Sequence, residues 1–230
     1  TGDPSPSSSA TIAPFATLRA FVTQMHTDFS GAVPDETTLL GDIARIDIGA
    51  ETPSAFVDRL RSSAWFDGAY GPATRLYKAY FLRIPDPSGL DYWAASRRNG
   101  RTLSSISQKF STSPEFVRRY GKLTDEVFVD TIYQNVFDRA PDPSGRAYYL
   151  GRLKAGWTRG QVVLQFSESS EYQRVMLPTV TIVEMIRGMS GRAPSKTTVD
   201  GLLATYAAEG SAGILANQIS SPAYRTRVLT

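Results

Sequence analysis

Carboxylates at matching positions are the first candidates for chemistry in this chain. Asp86 and Asp142 each stand in the same Pro-Asp-Pro-Ser-Gly context. A pair of carboxylates can serve as general acid and base in glycoside hydrolysis, but that reaction requires two different environments on one cleft. Equivalent positions of a repeat are separated in space and have similar surroundings. We therefore interpret both aspartates as structural and predict no catalytic residue.

Metal binding and histidine chemistry are weakly indicated. Asp86, Ser88 and Asp91 crowd oxygen ligands into one short loop, but the second loop has Ala147 in place of the later aspartate. Neither loop has the ligand number of a dedicated calcium site. We predict no metal and no cofactor, with Asp86 and Asp91 as weak metal candidates. The single histidine, His26, lies on a predicted apolar helix face, which favours a half-buried packing role over catalysis.

Adjacent aromatic residues give the stronger functional indication. Tyr92 and Trp93 are neighbours on a predicted helix, as are Tyr148 and Tyr149, with Trp157 nearby. One ring of each pair should pack inward while the other is at least partly exposed. Exposed rings beside Asp and Arg are typical of sugar-binding surfaces, although an individual ring is more often a core residue or one that seals the joint between repeats. We predict these five residues as ligand-binding candidates.

These candidates belong to a repeated sequence. The segment 83–93 returns as 139–149, a shift of 56 residues, and prolines at 34, 85, 141 and 194 extend the pattern in both directions. We interpret the chain as a disordered Ser/Pro/Thr-rich tail followed by four repeats packed in one domain, with the outer repeats degenerate. The predicted boundaries are 1–14 for the tail and 15–70, 71–121, 122–176 and 177–230 for the repeats.

About four short helices are predicted in each repeat. The first carries an apolar stripe with a period of 3.6 residues, and the second begins at the proline motif with a capping residue. The predicted N-caps are Asp35, Asp86, Asp142 and Ser195. No segment has a competing strand pattern. The sequence therefore predicts an all-α array of four helical repeats, each of roughly 50–56 residues.

Within the two clear repeats, the motif residues are predicted to be structural. The arginines should pair with the capping aspartates or cover the turn. This set consists of Arg83, Asp86, Gly89, Arg139, Asp142 and Gly145.

Composition limits the classes of partner. The chain has 25 basic and 22 acidic residues, a net charge of +3 that is spread along the sequence. A nucleic-acid partner is therefore unlikely, because such proteins cluster their basic residues on one face. No run of apolar residues is long enough to span a bilayer, so we predict no membrane insertion. The Ser/Pro/Thr-rich tail is typical of exported proteins and favours a secreted or cell-surface location.

The motif resembles the bacterial domain-of-unknown-function family 4214. The pattern is Arg-x-Pro-Asp-x-x-Gly-x-x-Tyr-Trp, then a glycine, a helix and Ser-x-Glu-Phe, and the match is specific over about 71–176. It is carried by Arg83, Pro85, Asp86, Gly89, Tyr92, Trp93, Gly100, Ser113, Glu115 and Phe116, and again by Arg139, Pro141, Asp142, Gly145, Tyr148, Tyr149, Gly156, Ser170, Glu171 and Tyr172.

The resemblance implies a helical module found in exported or surface-associated bacterial proteins, sometimes beside carbohydrate-active or adhesive domains, with no established reaction. The Phe-x-Arg-Ala-Pro turn is more loosely similar to phycobilisome linker-type helical domains, which we interpret as shared helical packing.

Together these features predict an exported, non-catalytic helical repeat module that binds or organises extracellular or cell-envelope polysaccharide. The alternative is a protein–protein scaffold or adhesion module of a bacterial surface assembly, with another surface protein as its partner. A glycan-active enzyme is the third hypothesis.

Overall fold

A computed structural model describes residues 12–229 of the chain. Within this range there are thirteen helices and no strand, so the all-α prediction is confirmed. None of these helices is both long and apolar enough to cross a bilayer. The helices are α1 Leu18–Ser30, α2 Glu36–Asp47, α3 Pro53–Arg61, α4 Asp67–Phe81, α5 Pro87–Arg98, α6 Leu103–Ser111, α7 Pro114–Tyr120, α8 Asp125–Phe137, α9 Pro143–Lys154, α10 Arg159–Ser167, α11 Ser170–Ser190, α12 Lys196–Ser220 and α13 Pro222–Leu229.

The helices form two compact units where the sequence predicts one domain. The central unit is Ala69–Val180, and the terminal unit combines the described residues up to Gly68 with those from Thr181 onward. Each unit has its own buried aromatic residues, such as Phe21 and Phe56 in the terminal unit. The segments 71–121 and 122–176, predicted as the two clear repeats, thus lie in the central unit.

Four cap segments, each a proline followed by an N-cap residue, begin α2, α5, α9 and α12. The N-caps are Asp35, Asp86, Asp142 and Ser195, and each side chain accepts a hydrogen bond from the amide three residues later. The donor–acceptor distances lie between 2.8 and 3.1 Å. Each cap satisfies one of the amides that a helix leaves without a partner in its first turn.

Helices α5 and α9 both end at a glycine in the left-handed region. Gly100 has φ 85° and Gly156 has φ 92°. The amide of Gly100 donates to the carbonyl of Arg97 at 2.9 Å, and the amide of Arg101 donates to Ser96 at 3.0 Å. This paired bonding is the Schellman motif, which glycine permits because it has no Cβ.

The core of the central unit is organised around Tyr80. Its hydroxyl lies 3.1 Å from the carbonyl oxygen of Gly160 and bonds the Ser107 hydroxyl, which itself donates to Gly160 at 2.8 Å. These bonds join α4, α6 and α10. A Cβ at Gly160 would lie only 2.8 Å from Ser111 Oγ, so the glycine allows α6 and α10 to approach closely.

Two helices do not fit the prediction of four short helices in each repeat. Helix α11 runs from Ser170 to Ser190 across the predicted boundary at 176/177, and Pro178 is accommodated inside it. Between the preceding repeats, Gly121 ends one helix and Thr124 caps the next. In α12, Gly210 (φ 63°, ψ −150°) interrupts the helical geometry and divides the element into two.

The predicted tail, residues 1–14, lies only partly within the described residues. Residues 1–11 lie outside them, whereas Ile12 is described and is buried. Phe15 packs edge-on against Phe21 at 5.6 Å and Tyr224 at 6.3 Å. Apolar contact with the terminal unit therefore orders the chain from at least Ile12.

Candidate functional site

The motif arginine of each clear repeat lies between a glutamate and two aromatic rings. Arg83 bonds Glu115 at 3.1 and 3.3 Å and lies 5.1 Å from the ring centroid of Tyr77 and 5.6 Å from that of Phe81. Its distance to Asp86, the predicted partner, is longer at 3.6 Å.

Arg139 repeats this arrangement in the next repeat. It bonds Glu171 at 3.2 and 3.3 Å and lies 5.5 Å from the ring of Tyr133 and 5.2 Å from that of Phe137. The glutamate of the Ser-x-Glu-Phe pattern is therefore the main partner of the motif arginine. The predicted pairing with the capping aspartate is also present, as the longer ion pair between Arg83 and Asp86.

The capping aspartates use their oxygens locally. Asp86 Oδ1 accepts from the Gly89 amide and the Ser88 hydroxyl, both at 2.8 Å, and Asp142 Oδ1 accepts from Gly145 at 2.9 Å. The hydrogen bond from the Gly89 amide, followed by that from Ser88, lowers the pKa of Asp86. Asp86 and Asp91, the weak metal candidates, do not belong to a cluster of metal-ligating side chains. Within residues 12–229, no three His, Asp or Glu side chains lie close enough together to hold a metal ion.

The motif glycines allow a tyrosine hydroxyl to approach the start of the helix. A Cβ on Gly89 would clash with Tyr77 Oη, and a Cβ on Gly145 would clash with Tyr133 Oη and lie 3.3 Å from its Cζ. These two tyrosines come from the apolar stripes of α4 and α8. The glycine of the motif is thus required by a tertiary contact, whereas its φ angle is not in the left-handed region.

The aromatic pairs divide as predicted, with one ring inward and one outward. Tyr92 is 56% exposed and Tyr148 is 48% exposed. Trp93 packs edge-on against Phe110 at 5.1 Å, and Tyr149 packs against the core at 4.6 Å from the ring of Phe166. Burial raises the pKa of Tyr149 to about 12.

Each inward ring also packs against its outward neighbour. The ring centroids of Tyr92 and Trp93 are 4.7 Å apart at 81°, and those of Tyr148 and Tyr149 are 5.1 Å apart at 84°. Edge-to-face packing of this kind is favourable for aromatic pairs. The two exposed tyrosines are therefore presented in a fixed orientation at matching positions of the two repeats.

An arginine that the sequence analysis did not identify joins two of the candidate rings. The guanidinium of Arg152 lies 4.9 Å from the ring centroid of Tyr148 and 4.9 Å from that of Trp157. Trp157 itself is half-buried against the core of the central unit. The spacing of Tyr148 and Arg152 on one helix face, i and i+4, is the sequence signal that could have identified this contact.

His26 is buried, where the sequence predicts a half-buried packing residue; its ring packs 5.6 Å from that of Phe56 and also joins a hydrogen-bonded network around Asp42. Its Nε2 lies 2.7 Å from Asp42 Oδ2, and Asp42 Oδ1 accepts from Arg59 at 2.8 Å and also from Arg45. Arg59 in turn bonds Glu51 at 2.9 Å. Burial opposes ionisation of Asp42, but the hydrogen bonds from His26 and Arg59 outweigh it and lower the pKa of Asp42. The network links α1, α2 and α3.

Glu184 is a second buried ionisable group of the terminal unit. Its side chain is 0% exposed, and Oε2 accepts from Arg61 at 2.6 Å, while Oε1 has no hydrogen-bond partner. Burial raises the pKa of Glu184 well above its usual value, and the nearby Asp67 carboxylate raises it further, against the opposing effect of Arg61. Both networks lie away from the aromatic pairs in sequence and join helices of the terminal unit.

Comparison with known proteins gives one family match. Residues 107–176 match the family model described as Domain of unknown function (DUF4214), which confirms the predicted resemblance over this range. None of the curated proteins matches the chain. The matched range begins in α6, contains all of α7 to α10 and ends in α11. It includes Arg139, Gly145 and Glu171, whose contacts are described above. The chain is therefore similar to the family described as Domain of unknown function (DUF4214) over residues 107–176.

Proposed function

We propose that this protein is a non-catalytic helical module that binds polysaccharide of the bacterial cell envelope or extracellular matrix. The observation that carries the proposal is the recurrence of an exposed, oriented tyrosine at the same position of two successive motifs. Tyr92 and Tyr148 each lie six residues after the capping aspartate (86 + 6 and 142 + 6). Core packing does not account for these rings, because about half of each remains accessible to solvent.

The surroundings of Tyr148 favour a sugar as the ligand. Sugar rings present apolar C–H faces that pack on aromatic rings and hydroxyl groups that bond to charged side chains. Arg152, between Tyr148 and Trp157, places such a charged group against the exposed ring. A repeated polymer could be bound at both motifs, so that weak individual contacts gain affinity through avidity. A secreted or cell-surface location is part of the proposal and follows from the Ser/Pro/Thr-rich N-terminal sequence.

Retention of the full chain in gels that contain envelope polysaccharides tests the proposal. We expect Tyr148→Ala and Tyr92→Ala each to weaken retention by up to about tenfold, the value that 1.4 kcal/mol of ring contact would give, and the double variant to abolish it. Trp65→Ala is the matched control, because Trp65 is also an exposed aromatic residue but lies in the terminal unit outside the cap segments.

Three results would contradict the proposal. One is unchanged retention of the double tyrosine variant, and another is an equal loss with Trp65→Ala. The third is release of new reducing ends from any of the polysaccharides, because bond cleavage would show that the module is an enzyme.

A further inference from the structure

A pocket lies at the cap segment that begins α9. Its volume is about 420 Å³, and it is lined by Asp130, Gln134, Ala140, Pro141 and Arg146. This volume is within the range of roughly 300–1,000 Å³ that is typical of small-molecule sites. The polar residues come from one face of α8 and from the first turns of α9, and the proline and alanine come from the intervening turn.

A bidentate ion pair forms the polar wall of this pocket. Arg146 Nε lies 2.7 Å from Asp130 Oδ1, and Arg146 Nη2 lies 3.1 Å from Asp130 Oδ2. Both side chains remain partly exposed to solvent. The pair fixes the direction of both groups. The neighbouring Gln134 donates one amide N–H to Asp138 Oδ1 at 2.7 Å, and its amide oxygen can accept a hydrogen bond.

The position of Arg146 is occupied by a buried aliphatic side chain in the other three cap segments. The fourth residue after each N-cap is Leu39 (35 + 4), Leu90 (86 + 4), Arg146 (142 + 4) and Val199 (195 + 4). Leu39, Leu90 and Val199 are 4%, 0% and 2% exposed. Only the segment that begins α9 has a charged residue here.

A residue of the preceding helix differs in the same segment. Sixteen residues before the position of Arg146, the four segments have Thr23, Thr74, Asp130 and Val183. Only the segment that contains Arg146 therefore has an acidic residue there. A partly exposed ion pair contributes little to stability, whereas a buried aliphatic residue contributes substantially. Stability of the fold therefore does not explain the exchange.

We propose that this pocket binds a neutral, hydroxyl-rich ligand of the size of one or two sugar rings. The charges of Asp130 and Arg146 compensate each other, so an anion would be placed next to Asp130 and a cation next to Arg146. A neutral polyol satisfies both groups, because hydroxyls donate to the carboxylate and accept from the guanidinium. The Pro141 ring and Ala140 methyl group supply apolar surface for the C–H face of the ligand.

The ligand class rests on the proposed function, but the surface is a different one. Arg146 and Tyr148 are two residues apart on α9, and residues at i and i+2 of a helix do not face each other. The pocket would hold a single ring or a chain end, while the tyrosines contact the polymer along its length.

NMR titration of the full chain tests the pocket directly. The probes are the methyl glycosides of glucose, galactose, mannose and N-acetylglucosamine, with glucuronate and glucosamine as charged comparisons. We expect saturable shifts of the Gln134 side-chain amide with at least one neutral glycoside. Arg146→Leu should weaken that binding at least tenfold, and the variant should fold because two of the other three segments have leucine at this position. Lys154→Leu on the same helix is the control, and we expect it to leave the titration unchanged, because Lys154 lies in the last turn of α9 and does not line the pocket.

The outcomes separate this inference from the proposed function. Loss of polymer retention in the tyrosine variants with an intact glycoside titration supports two surfaces. Retention by the tyrosines without any saturable glycoside shift, or with equal binding by Arg146→Leu, overturns the pocket and leaves the proposed function standing. Glycoside binding without polymer retention overturns the proposed function and supports the pocket. Tighter binding of glucuronate or glucosamine than of every neutral glycoside overturns the neutral-ligand assignment.

Discussion

Replacing Gly145 by alanine tests why the motif contains a glycine. Gly145 and Gly151 both lie in α9, but the surroundings of the two positions differ. A Cβ at Gly145 would meet the hydroxyl of Tyr133, whereas nothing lies within 4 Å of a Cβ at Gly151. The Tyr133 ring cannot easily move away, because it packs edge-on against Phe166 at 4.8 Å and is covered by Arg139.

The two substitutions should therefore have opposite signs. In a helix interior, alanine is favoured over glycine by about 1 kcal/mol, so Gly151→Ala should stabilise the protein by roughly 0.5–1 kcal/mol. At Gly145 the steric cost of overpacking, about 1–3 kcal/mol, should exceed that gain and leave a net loss of up to about 2 kcal/mol. Tyr133→Phe removes the clashing oxygen and should restore about 1 kcal/mol in the double variant.

Urea unfolding followed by tryptophan fluorescence measures these differences. In a Trp65→Phe background only Trp93 and Trp157 remain, and both belong to the central unit that contains the substituted glycines. The explanation fails if Gly145→Ala is as stable as Gly151→Ala. It also fails if Tyr133→Phe gives no rescue, since the hydroxyl would then not be what excludes a side chain at Gly145.

Three further predictions concern caps, ion pairs and pH. Asp86→Asn should leave the free energy of unfolding nearly unchanged, because asparagine also caps helices, whereas Asp86→Ala should cost about 1 kcal/mol; urea unfolding of both variants checks this. Arg83→Lys and Glu115→Gln should each cost no more than about 1 kcal/mol, and salt titration should reduce the loss, because the pair is partly exposed. Burial and the Asp67 charge raise the pKa of folded Glu184, so its contribution to stability is fully present below the unfolded value of 4.5 and is lost as the pH rises towards the folded pKa. Glu184→Gln should remove this loss, so the free energy of unfolding of the variant should vary less with pH than that of the native protein. Unfolding curves with the same pH dependence for both proteins would contradict the reasoning.

The local features of the fold could be predicted from the sequence because their signals are short. The cap at Asp142 depends on an amide three residues away, and the capping box of Thr158 and Gln161 is likewise complete within four residues. The helical period similarly identifies the buried stripe of α8. Gly156, at the end of α9, follows from the left-handed turn that glycine favours.

The tertiary structure decided which of these elements contact each other. Arg83 and Glu115 are 32 residues apart, so no local rule identifies the glutamate as the partner in place of the neighbouring Asp86. The requirement for glycine at Gly145 likewise depends on a hydroxyl from α8. The continuity of α11 depends on packing that tolerates Pro178, which propensity alone disfavours.

The exchange of a buried leucine or valine for Arg146 was visible in the sequence, but its meaning was not. A charged residue at one repeat position is compatible with a solvated surface, a structural ion pair or a binding site. Only the folded chain places Asp130, sixteen residues earlier, at 2.7 Å from that arginine and leaves an open pocket beside them. Sequence determined the residues and the helices that carry them. Tertiary packing decided which of those residues line the pocket, because the shape of the pocket depends on the distances between helices.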